Sequence, residues 1–424
     1  MSGIFREVSF FLLCEKNTML QCQKDKFNIP TNVSYLNVAY MSPILKATEA
    51  AGLAGVTRKS QPWTISGEDF FQPVAHLKSS FAQLINCAES ERIALVPSVS
   101  YGIANVVKNI QADASSNIII AGEQFPSNYY PWKRLADETG ATINTILAPQ
   151  TSEYRAAIWN QNILNAINDN TVAVAMGHVH WADGTLFDLE AISQKCKQHG
   201  ALLIIDGTQS VGALPFDIEK IQPDALICAA YKWLFGPYNF GFAFYGKKFD
   251  HGVPIEENWI NRKDSDDFAG LVNFQSEYRP FANRYMMGEQ SNFINVPMAQ
   301  TALNQLHDWG VENIAAYSQQ LTHGVVQELR DLGCQVEEDK FRCGHLFGVR
   351  LAEGMDMDLL KKHFSNNKIY VSQRGNAIRI STHLFNNTTD FFKLVHCFKN
   401  AKKINGHQVS NNSIVLNSLT QNNS

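Results

Sequence analysis

The sequence predicts an α/β protein with a large domain built on a mostly parallel sheet and a smaller α+β domain after it. Between about residues 70 and 245, short apolar runs alternate with amphipathic helical patterns. Apolar runs without alternation predict strands buried on both faces, which is typical of a parallel sheet covered by helices. These runs are 93–96, 117–121, 171–176, 201–205 and 225–228.

Between the runs at 171–176 and 201–205, the amphipathic stretch 189–199 predicts a helix that ends at Gly200. Further along, helical patterns at 297–310 and 314–332 precede β-like runs at 346–351 and 378–381. We therefore expect five segments. They are an N-terminal extension (1–30), an arm that contributes to the small domain and the active site (31–75), a cofactor-binding large domain (76–285), a C-terminal small domain (286–404) and an Asn/Ser-rich disordered tail (405–424).

Length and composition indicate a globular protein of two or three units, at about 100–200 residues each. The chain has 424 residues, of which 45% are hydrophobic and 18% charged. Its formal charge of −4 and the lack of a Lys/Arg-rich run give no electrostatic reason to expect nucleic acid as a partner. No apolar stretch reaches the roughly 20 residues that cross a membrane. We therefore expect neither nucleic-acid nor membrane partners.

The cysteines predict a cytoplasmic protein without a metal site. Eight cysteines are scattered without a C-x-x-C pair, which disfavours a disulfide framework or a zinc site. The apolar run 8–14 is short and poorly flanked, so it is a poor signal peptide. Met19 would serve as a natural start, which would make residues 1–18 a dispensable extension.

The strongest local signal is a lysine, Lys232, in the segment AAYKWLFGP that follows an apolar run. Burying an ammonium among aromatic side chains costs free energy unless the group is paired or used covalently. A desolvated lysine has a lowered pKa and becomes a nucleophile for aldehydes. A lysine that extends to solvent from a strand end explains this segment alone equally well.

The second signal is Asp206 in LLIIDGTQS, at the carboxyl end of a predicted buried strand. Parallel α/β sheets bind ligands at this edge, and an Asp there can keep a pyridine nitrogen protonated. The alternative is a turn aspartate, which is common before Gly. Lys232 ends a neighbouring apolar run, so adjacent strands could present both side chains to one ring.

The third signal is a strand, a turn and a helix start in ALVPSVSYGIAN, at 94–105. Free N–H groups at a helix N-terminus bind phosphate, and the Ser100 hydroxyl would add a donor. By itself Ser100 could equally be a helix cap.

These segments, in this order, resemble the class V aminotransferase superfamily of fold-type I enzymes that depend on pyridoxal 5′-phosphate. That superfamily includes cysteine desulfurases, kynureninases and isopenicillin N epimerase-like proteins. The resemblance covers residues 35–402 and includes the motifs YLNVAYMSP (35–43), EQFPSNYYPW (123–132) and RGNAIRIS (374–381).

The resemblance implies pyridoxal 5′-phosphate as cofactor, with Lys232 as the Schiff-base lysine and Asp206 as the partner of the pyridinium. It also implies a homodimer with active sites at its interface and a small amino acid as substrate. The remaining implied contacts are Val99, Ser100 and Tyr231 with the phosphate, Gln209 and Asp183 near the ring, Phe125 stacked on the ring, Arg379 on the substrate α-carboxylate, Asn37 near the substrate, and Trp259 across the subunit interface.

Several positions depart from the family pattern. Desulfurases carry a nucleophilic cysteine shortly before the carboxylate-binding arginine, but the interval 344–396 contains none, and Cys343 is better explained as a structural thiol. Trp181 and Asp183 replace the usual residues near the ring, which predicts a changed substrate pocket, and His180 could be a base or a satisfied polar residue. Glu289 stands where a phosphate donor is common and would repel phosphate, so Gln290 or Ser291 could substitute.

The resemblance favours an aminotransferase-type reaction on a small amino acid. A kynureninase-like or carbon–sulfur lyase and an epimerase remain open, because these reactions share the same residues. A catalytically silent binding or regulatory protein is the alternative of another class. The presence of Lys232, Asp206 and Arg379 together argues against it.

Overall fold

A computed structural model describes residues 20–401 apart from residue 152. The extension expected at 1–18 and the tail expected at 405–424 lie outside the described residues. The helices are α1 (Lys46–Lys59), α2 (Gln72–Leu84), α3 (Val99–Lys108), α4 (Tyr130–Thr139), α5 (Arg155–Ala166), α6 (Leu189–His199), α7 (Ile218–Ile221), α8 (Asn295–Trp309), α9 (Val311–Asp331), α10 (Met357–Asn366) and α11 (Thr388–Lys399). The strands are β1 (Ser34–Tyr35), β2 (Ile93–Val96), β3 (Asn117–Ala121), β4 (Thr142–Ile146), β5 (Thr171–Gly177), β6 (Leu202–Asp206), β7 (Ala225–Ala229), β8 (Gly241–Tyr245), β9 (Leu346–Arg350), β10 (Ile369–Tyr370), β11 (Ser372–Arg374) and β12 (Ala377–Ser381).

Among the described strands, seven form one central sheet in the order β2-β8-β7-β6-β5-β3-β4. The contacts among β3 to β7 are parallel, and β8 is antiparallel to both β2 and β7. Every residue of β2, β7 and β8 is buried, as their continuous apolar sequences require. The expected α/β fold with a mostly parallel sheet is confirmed.

The topology brings the carboxyl ends of β2, β5, β6 and β7 to one edge of the sheet. Gly177 and Asp206, the last residues of β5 and β6, are register partners. Val96 and Ala229, which end β2 and β7, both pair with Gly241 of the antiparallel strand between them. Residues that follow these four strands therefore meet at this edge.

The helices cover the sheet and end where the sequence indicates. Asp188 caps α6 by accepting a hydrogen bond from the Ala191 N–H, and Gly200 ends the helix with φ +69°. Helix α3 approaches β7 closely at Gly102, where an added Cβ would stand 2.8 Å from the Ile227 side chain. Only glycine therefore permits this helix–strand distance.

A second, smaller apolar core lies around the antiparallel sheet β11-β12-β9 with α9, α10 and α11. Helix α8, by contrast, packs in the large core, to which Leu303 and Leu306 belong. After Leu36 in the arm, the next residue along the chain that is buried in the second core is Val326 in α9. The small-domain boundary expected at 286 therefore lies upstream of the segment that builds the second core.

The arm expected at 31–75 links the two cores. Ser34 of β1 pairs in parallel with Ile369 of β10. Leu36 is buried in the small core and Val38 in the large one. Just before the arm, Phe27 is only 3% exposed in the large core, so this part of the expected extension is packed. Within the described range, no helix combines the length and apolar character needed to cross a membrane.

Candidate active site

A cavity of about 310 Å³ opens where β2, β6 and β7 end, within the usual range of about 300–1,000 Å³ for small-ligand sites. A larger cavity of about 740 Å³, which His178 and His307 line, contains neither Lys232 nor Asp206. We therefore take the smaller cavity as the candidate active site, because of the residues that line it and not because of its size. The sequence-predicted residues that line it are Val99, Ser100, Phe125, Asp206, Gln209, Tyr231 and Lys232, together with Trp181.

Lys232 lies in the turn that follows β7, and its side chain is 8% exposed. Its Nζ is 5.8 Å from the ring centre of Phe125 and 5.6 Å from that of Tyr231. Burial lowers the pKa of Lys232 to about 8, with Arg379 and Arg374 adding to the effect and Asp206 opposing it. An amine in this setting is available as a nucleophile near neutral pH.

Asp206 ends β6, and its Oδ1 accepts a hydrogen bond of 3.0 Å from the Thr208 N–H. Burial raises the pKa of the Asp206 carboxyl, against the opposing effects of Thr208 and Lys232. A protonated ring nitrogen placed in the cavity would supply the positive charge that a buried carboxylate needs.

The start of α3 lines one end of the cavity. Ser98 caps the helix by accepting a hydrogen bond of 3.2 Å from the Tyr101 N–H, and its Oγ is 2.9 Å from the Ser100 Oγ. The N–H groups of Val99 and Ser100 belong to the first turn, where a helix has no internal acceptors for them. These donors and the helix dipole fit a phosphate group.

Gln209 and Phe125 complete the cavity. The Gln209 amide is held at both ends, since its Nε2 donates to the Ala39 carbonyl at 3.1 Å and its Oε1 accepts from the Trp233 indole at 3.0 Å. The Phe125 ring meets the Trp181 ring edge to face, with centres 5.3 Å apart. With the lysine, the carboxylate and the phosphate donors already described, these residues fit pyridoxal phosphate.

Arg379 lies on β12 and is 1% exposed. Its Nη1 donates to the Trp181 carbonyl at 2.7 Å, whereas its Nε and Nη2 are buried and have no hydrogen-bond partner among the described residues. Burial lowers the pKa of Arg379 to about 9, with Arg374 adding to the effect and Tyr35 opposing it. A bound carboxylate would satisfy these donors and restore a counter-charge.

Asn37 does not line the cavity. Its Oδ1 accepts a hydrogen bond of 2.8 Å from the Ser372 hydroxyl, and its backbone bridges to Ser381 beside β12. The arm is thereby joined to the hairpin that carries Arg379. Asn37 therefore acts on the site, in this geometry, through the position of that hairpin.

Asp183 also lies outside this cavity. Its carboxylate is 3.0 Å from each of three partners, Arg155 on α5, Arg350 on β9 and the His180 Nδ1. Burial alone raises the carboxyl pKa, but His180 and the two guanidiniums outweigh it and hold the pKa of Asp183 well below its usual range. Because those partners occupy the carboxylate, Asp183 joins the two domains instead of contacting the ring.

Removing this carboxylate is expected to destabilise the fold. The variant Asp183→Ala leaves the buried Arg155 and the half-buried Arg350 with fewer counter-charges, which lowers the free energy of unfolding by about 3–5 kcal/mol. Urea unfolding of both proteins measures the loss. The matched control is Asp69→Ala, which breaks an exposed pair with Arg58 at 2.7 Å and costs about 0–1 kcal/mol. Equal losses for the two variants would contradict the expectation.

The remaining candidates lie elsewhere. The Trp259 ring packs against Phe268 with centres 5.7 Å apart, and it lines a separate cavity of about 250 Å³ together with Glu289 and Ser291. The Ser291 hydroxyl donates to the Phe70 carbonyl at 2.7 Å, and Gln290 is 3% exposed. None of these residues lines the cavity that contains Lys232.

The sequence interpretation missed two residues that shape the cavity. Ser98 caps α3 and faces the Ser100 hydroxyl. Thr208 donates its N–H to Asp206, and its Oγ1 accepts a hydrogen bond of 3.1 Å from the Ala229 N–H on β7. A serine directly before a predicted helix and a threonine in Asp-Gly-Thr are the signals that could have identified them.

This fold and this site define a fold-type I enzyme that uses pyridoxal phosphate. The chain belongs to the class V aminotransferase family, whose family model (Aminotransferase class-V) matches residues 63–392. An uncharacterized aminotransferase of Bacillus subtilis, YcbU, is 28% identical over 313 residues, which cover 73% of this chain and 78% of that protein. A cysteine desulfurase of Synechococcus elongatus is 26% identical over 246 residues, which cover 57% of this chain but 37% of that protein.

A solved structure shows the same fold over nearly its full length. The cystine C-S lyase C-DES, in complex with cysteine persulfide, has a TM-score of 0.77 over 88% of this chain and 98% of that chain, at 16% identity. Its likeness supports the fold assignment made from the sheet topology.

Proposed function

We propose that this protein is an aminotransferase that acts on a small amino acid carrying a free α-carboxylate. The observation that carries the proposal is Arg379, whose buried Nε and Nη2 find no hydrogen-bond partner within residues 20–401 as described and whose charge affects the pKa of Lys232. Two relatives aligned over most of their length, from Bacillus subtilis and Schizosaccharomyces pombe, are named as uncharacterized aminotransferases, which supports this choice.

In this proposal the residues of the site divide the binding roles among them. Lys232 holds the cofactor covalently, Asp206 keeps its ring nitrogen protonated, and Phe125 packs on the ring. Arg379 binds and orients the substrate carboxylate, while Trp181 fixes Arg379 through its carbonyl. The phosphate contacts are Val99, Ser100 and Tyr231, and Gln209 lies beside the ring.

With pyridoxal phosphate bound, the Lys232 amine would hold it until an amino-acid substrate arrives, and once free that amine would accept the Cα proton. The bound cofactor supplies an electron sink for the negative charge that develops at Cα. Lys232 is suited to this step because its amine is held beside the rings of Phe125 and Tyr231 without a hydrogen-bond partner among the described residues. Amino transfer would require Lys232 to return this proton to a carbon other than Cα, water to release the keto acid, and a second keto acid to take up the amino group.

The test is a panel of amino acids offered to the holoenzyme, each scored for a change in the visible spectrum and for its keto acid. Keto acid formed with amino transfer to a second keto acid supports the proposal. Three other outcomes would contradict the aminotransferase proposal. Pyruvate with ammonia would indicate a lyase, alanine from kynurenine-type substrates would indicate a kynureninase-like enzyme, and racemised substrate would indicate an epimerase. No spectral change with any amino acid would favour the catalytically silent alternative.

Cysteine desulfuration is the candidate that the structure disfavours most. Cys343 is 3% exposed, and its Sγ donates to the Leu346 carbonyl at 3.3 Å. Burial raises the pKa of the Cys343 thiol to about 12, so the thiolate that must attack sulfur is not formed at neutral pH. A carbon–sulfur lyase needs no such thiol and is the second candidate, since relatives and structural neighbours act on cysteine or cystine.

The pKa of Lys232 makes a prediction about cofactor capture. Only the unprotonated amine attacks an aldehyde, and the amine is protonated below its pKa of about 8. The apoprotein should therefore bind pyridoxal phosphate covalently at a rate that rises as the pH increases through about 8. Stopped-flow absorbance measures this rate, and a rate that is flat or falls over that interval would contradict the assignment.

We also propose a homodimer in the cytoplasm, with Trp259 near the subunit interface. Trp259 is 39% exposed and Phe274 is 97% exposed on the same part of the chain, which indicates an apolar surface. Sedimentation velocity distinguishes a dimer from a monomer, and a monomer at all protein concentrations would overturn this part of the proposal.

A further inference from the structure

We propose that Arg374 binds a second acidic group at the far end of the substrate, so that the preferred substrates are dicarboxylic amino acids. This inference rests on the proposed function and specifies its substrate class. The hairpin β11–β12 carries both Arg374 and Arg379. The Cζ atoms of Arg374 and Arg379 lie 5.4 Å and 6.0 Å from the centre of the same Trp181 ring. Both guanidiniums therefore lie beside the same indole ring.

Arg374 lacks an anion in its present surroundings. In the part of the chain that the structure describes, its Nη1 donates to the adjacent Gln373 carbonyl at 2.8 Å and to no other group, and its buried Nε has no hydrogen-bond partner. Within the described part of the chain, no carboxylate forms an ion pair with Arg374. A partly buried guanidinium without a counter-charge is a ready site for a carboxylate, which its planar fork can bind with two hydrogen bonds.

Arg374 differs from the other arginines that line the same cavity, because those arginines have carboxylate partners. It lines a cavity of about 610 Å³ together with Arg155 and Arg350. Those two are committed to protein carboxylates, since both pair with Asp183 at 3.0 Å and both also pair with Glu337. Glu123 lines the same cavity but makes no ion pair with Arg374.

Trp181 connects this cavity to the cofactor site. Its side chain lines the cavity that contains Lys232, while the following residue, Ala182, lines the cavity that contains Arg374. The indole is fixed because its Nε1 donates to the Glu123 carbonyl at 2.7 Å. A substrate held at its α-carboxylate by Arg379 can thus direct its side chain past Trp181 toward Arg374.

The first experiment compares substrates that differ only in the charge of the group farthest from the α-carboxylate. Aspartate is paired with asparagine, and glutamate with glutamine, in the holoenzyme and in Arg374→Gln. We expect the variant to lower kcat/KM for the acids by roughly 10- to 100-fold more than for the amides, as for one lost hydrogen-bonded charge pair. Arg374→Lys should recover part of the loss. The control Arg134→Gln, on the exposed face of α4, removes the same charge and should change neither class.

The second experiment measures binding and does not depend on catalytic turnover. Calorimetry measures the binding of glutarate and of butyrate, which lack an amino group, to the holoenzyme and to Arg374→Gln. Glutarate should bind more tightly than butyrate, and the variant should abolish that difference while the cofactor absorbance stays unchanged.

Together, the two experiments distinguish a failure of this inference from a failure of the proposed function. If no amino acid reacts but the glutarate preference depends on Arg374, the proposed function fails and the acidic subsite stands. If amino acids react and Arg374→Gln affects acids and amides equally, with glutarate binding unchanged, the proposed function stands and the inference is overturned.

Discussion

Replacing Lys232 with alanine is expected to abolish covalent attachment of the cofactor and to lower turnover by at least roughly 10²–10⁴-fold, the usual contribution of a positioned general base. Lys232 is a buried amine, 8% exposed and close to the carboxylate of Asp206. Among the described residues, Lys232 is the one lysine that lines this cavity. The visible absorbance of the lysine-bound cofactor and mass spectrometry after borohydride reduction measure the attachment.

A second buried lysine provides the control. Lys78 on α2 is 3% exposed, and its Nζ is 2.7 Å from the Asn283 side chain and 3.2 Å from that of Glu91. The variant Lys78→Ala should lower stability but keep the cofactor absorbance and the reduced adduct. An adduct of wild-type yield in Lys232→Ala, or its loss in Lys78→Ala alone, would overturn the assignment of Lys232.

Replacing Arg379 with methionine is expected to separate activity from stability. Two charge-assisted hydrogen bonds to the substrate carboxylate would be lost, so kcat/KM should fall by roughly 100-fold or more. The free energy of unfolding should stay unchanged or rise by up to about 2 kcal/mol, because two unsatisfied buried donors are removed. Steady-state kinetics and urea unfolding measure the two effects.

The control for Arg379→Met is Arg92→Met, at a buried arginine that does have partners. Arg92 is 7% exposed, and its Nη1 is 2.8 Å from Asp250. This variant should lose about 1–3 kcal/mol of stability, because its hydrogen bonds to Asp250 are lost, and should retain its kcat/KM. If Arg379→Met instead destabilises the protein as much as Arg92→Met and keeps its activity, Arg379 is a structural cation and the site lacks its proposed carboxylate anchor.

The meeting of Asp206, Lys232 and Ser100 in one cavity could be predicted from the chain. Each residue closely follows an apolar run that forms a strand, and strands β2, β6 and β7 end at the same edge of the sheet. Local sequence is sufficient here because apolar runs of this kind determine strands, and the parallel arrangement determines where their ends lie.

Asp183 shows where such reasoning stops. It follows a strand end as Asp206 does, and the sequence interpretation placed it beside the ring. Its carboxylate instead meets Arg155 and Arg350, the second of which is distant in sequence and belongs to the small domain. Which cation a carboxylate meets depends on the packing of separate segments, and no local pattern encodes that choice.

The sequence by itself determined the α/β class, the cofactor and the principal side chains of its cavity, because each depends on residues close together along the chain. Only the tertiary structure decided that Asp183 joins the domains and that α8 belongs to the large core. It also decided that Arg379 and Arg374 keep donors that no group among the described residues accepts. These features arise where distant segments meet. Whether a side chain is buried, and which partner it meets, depends on the packing of the whole molecule. Residues of the same chemical type can therefore have different roles in the folded protein.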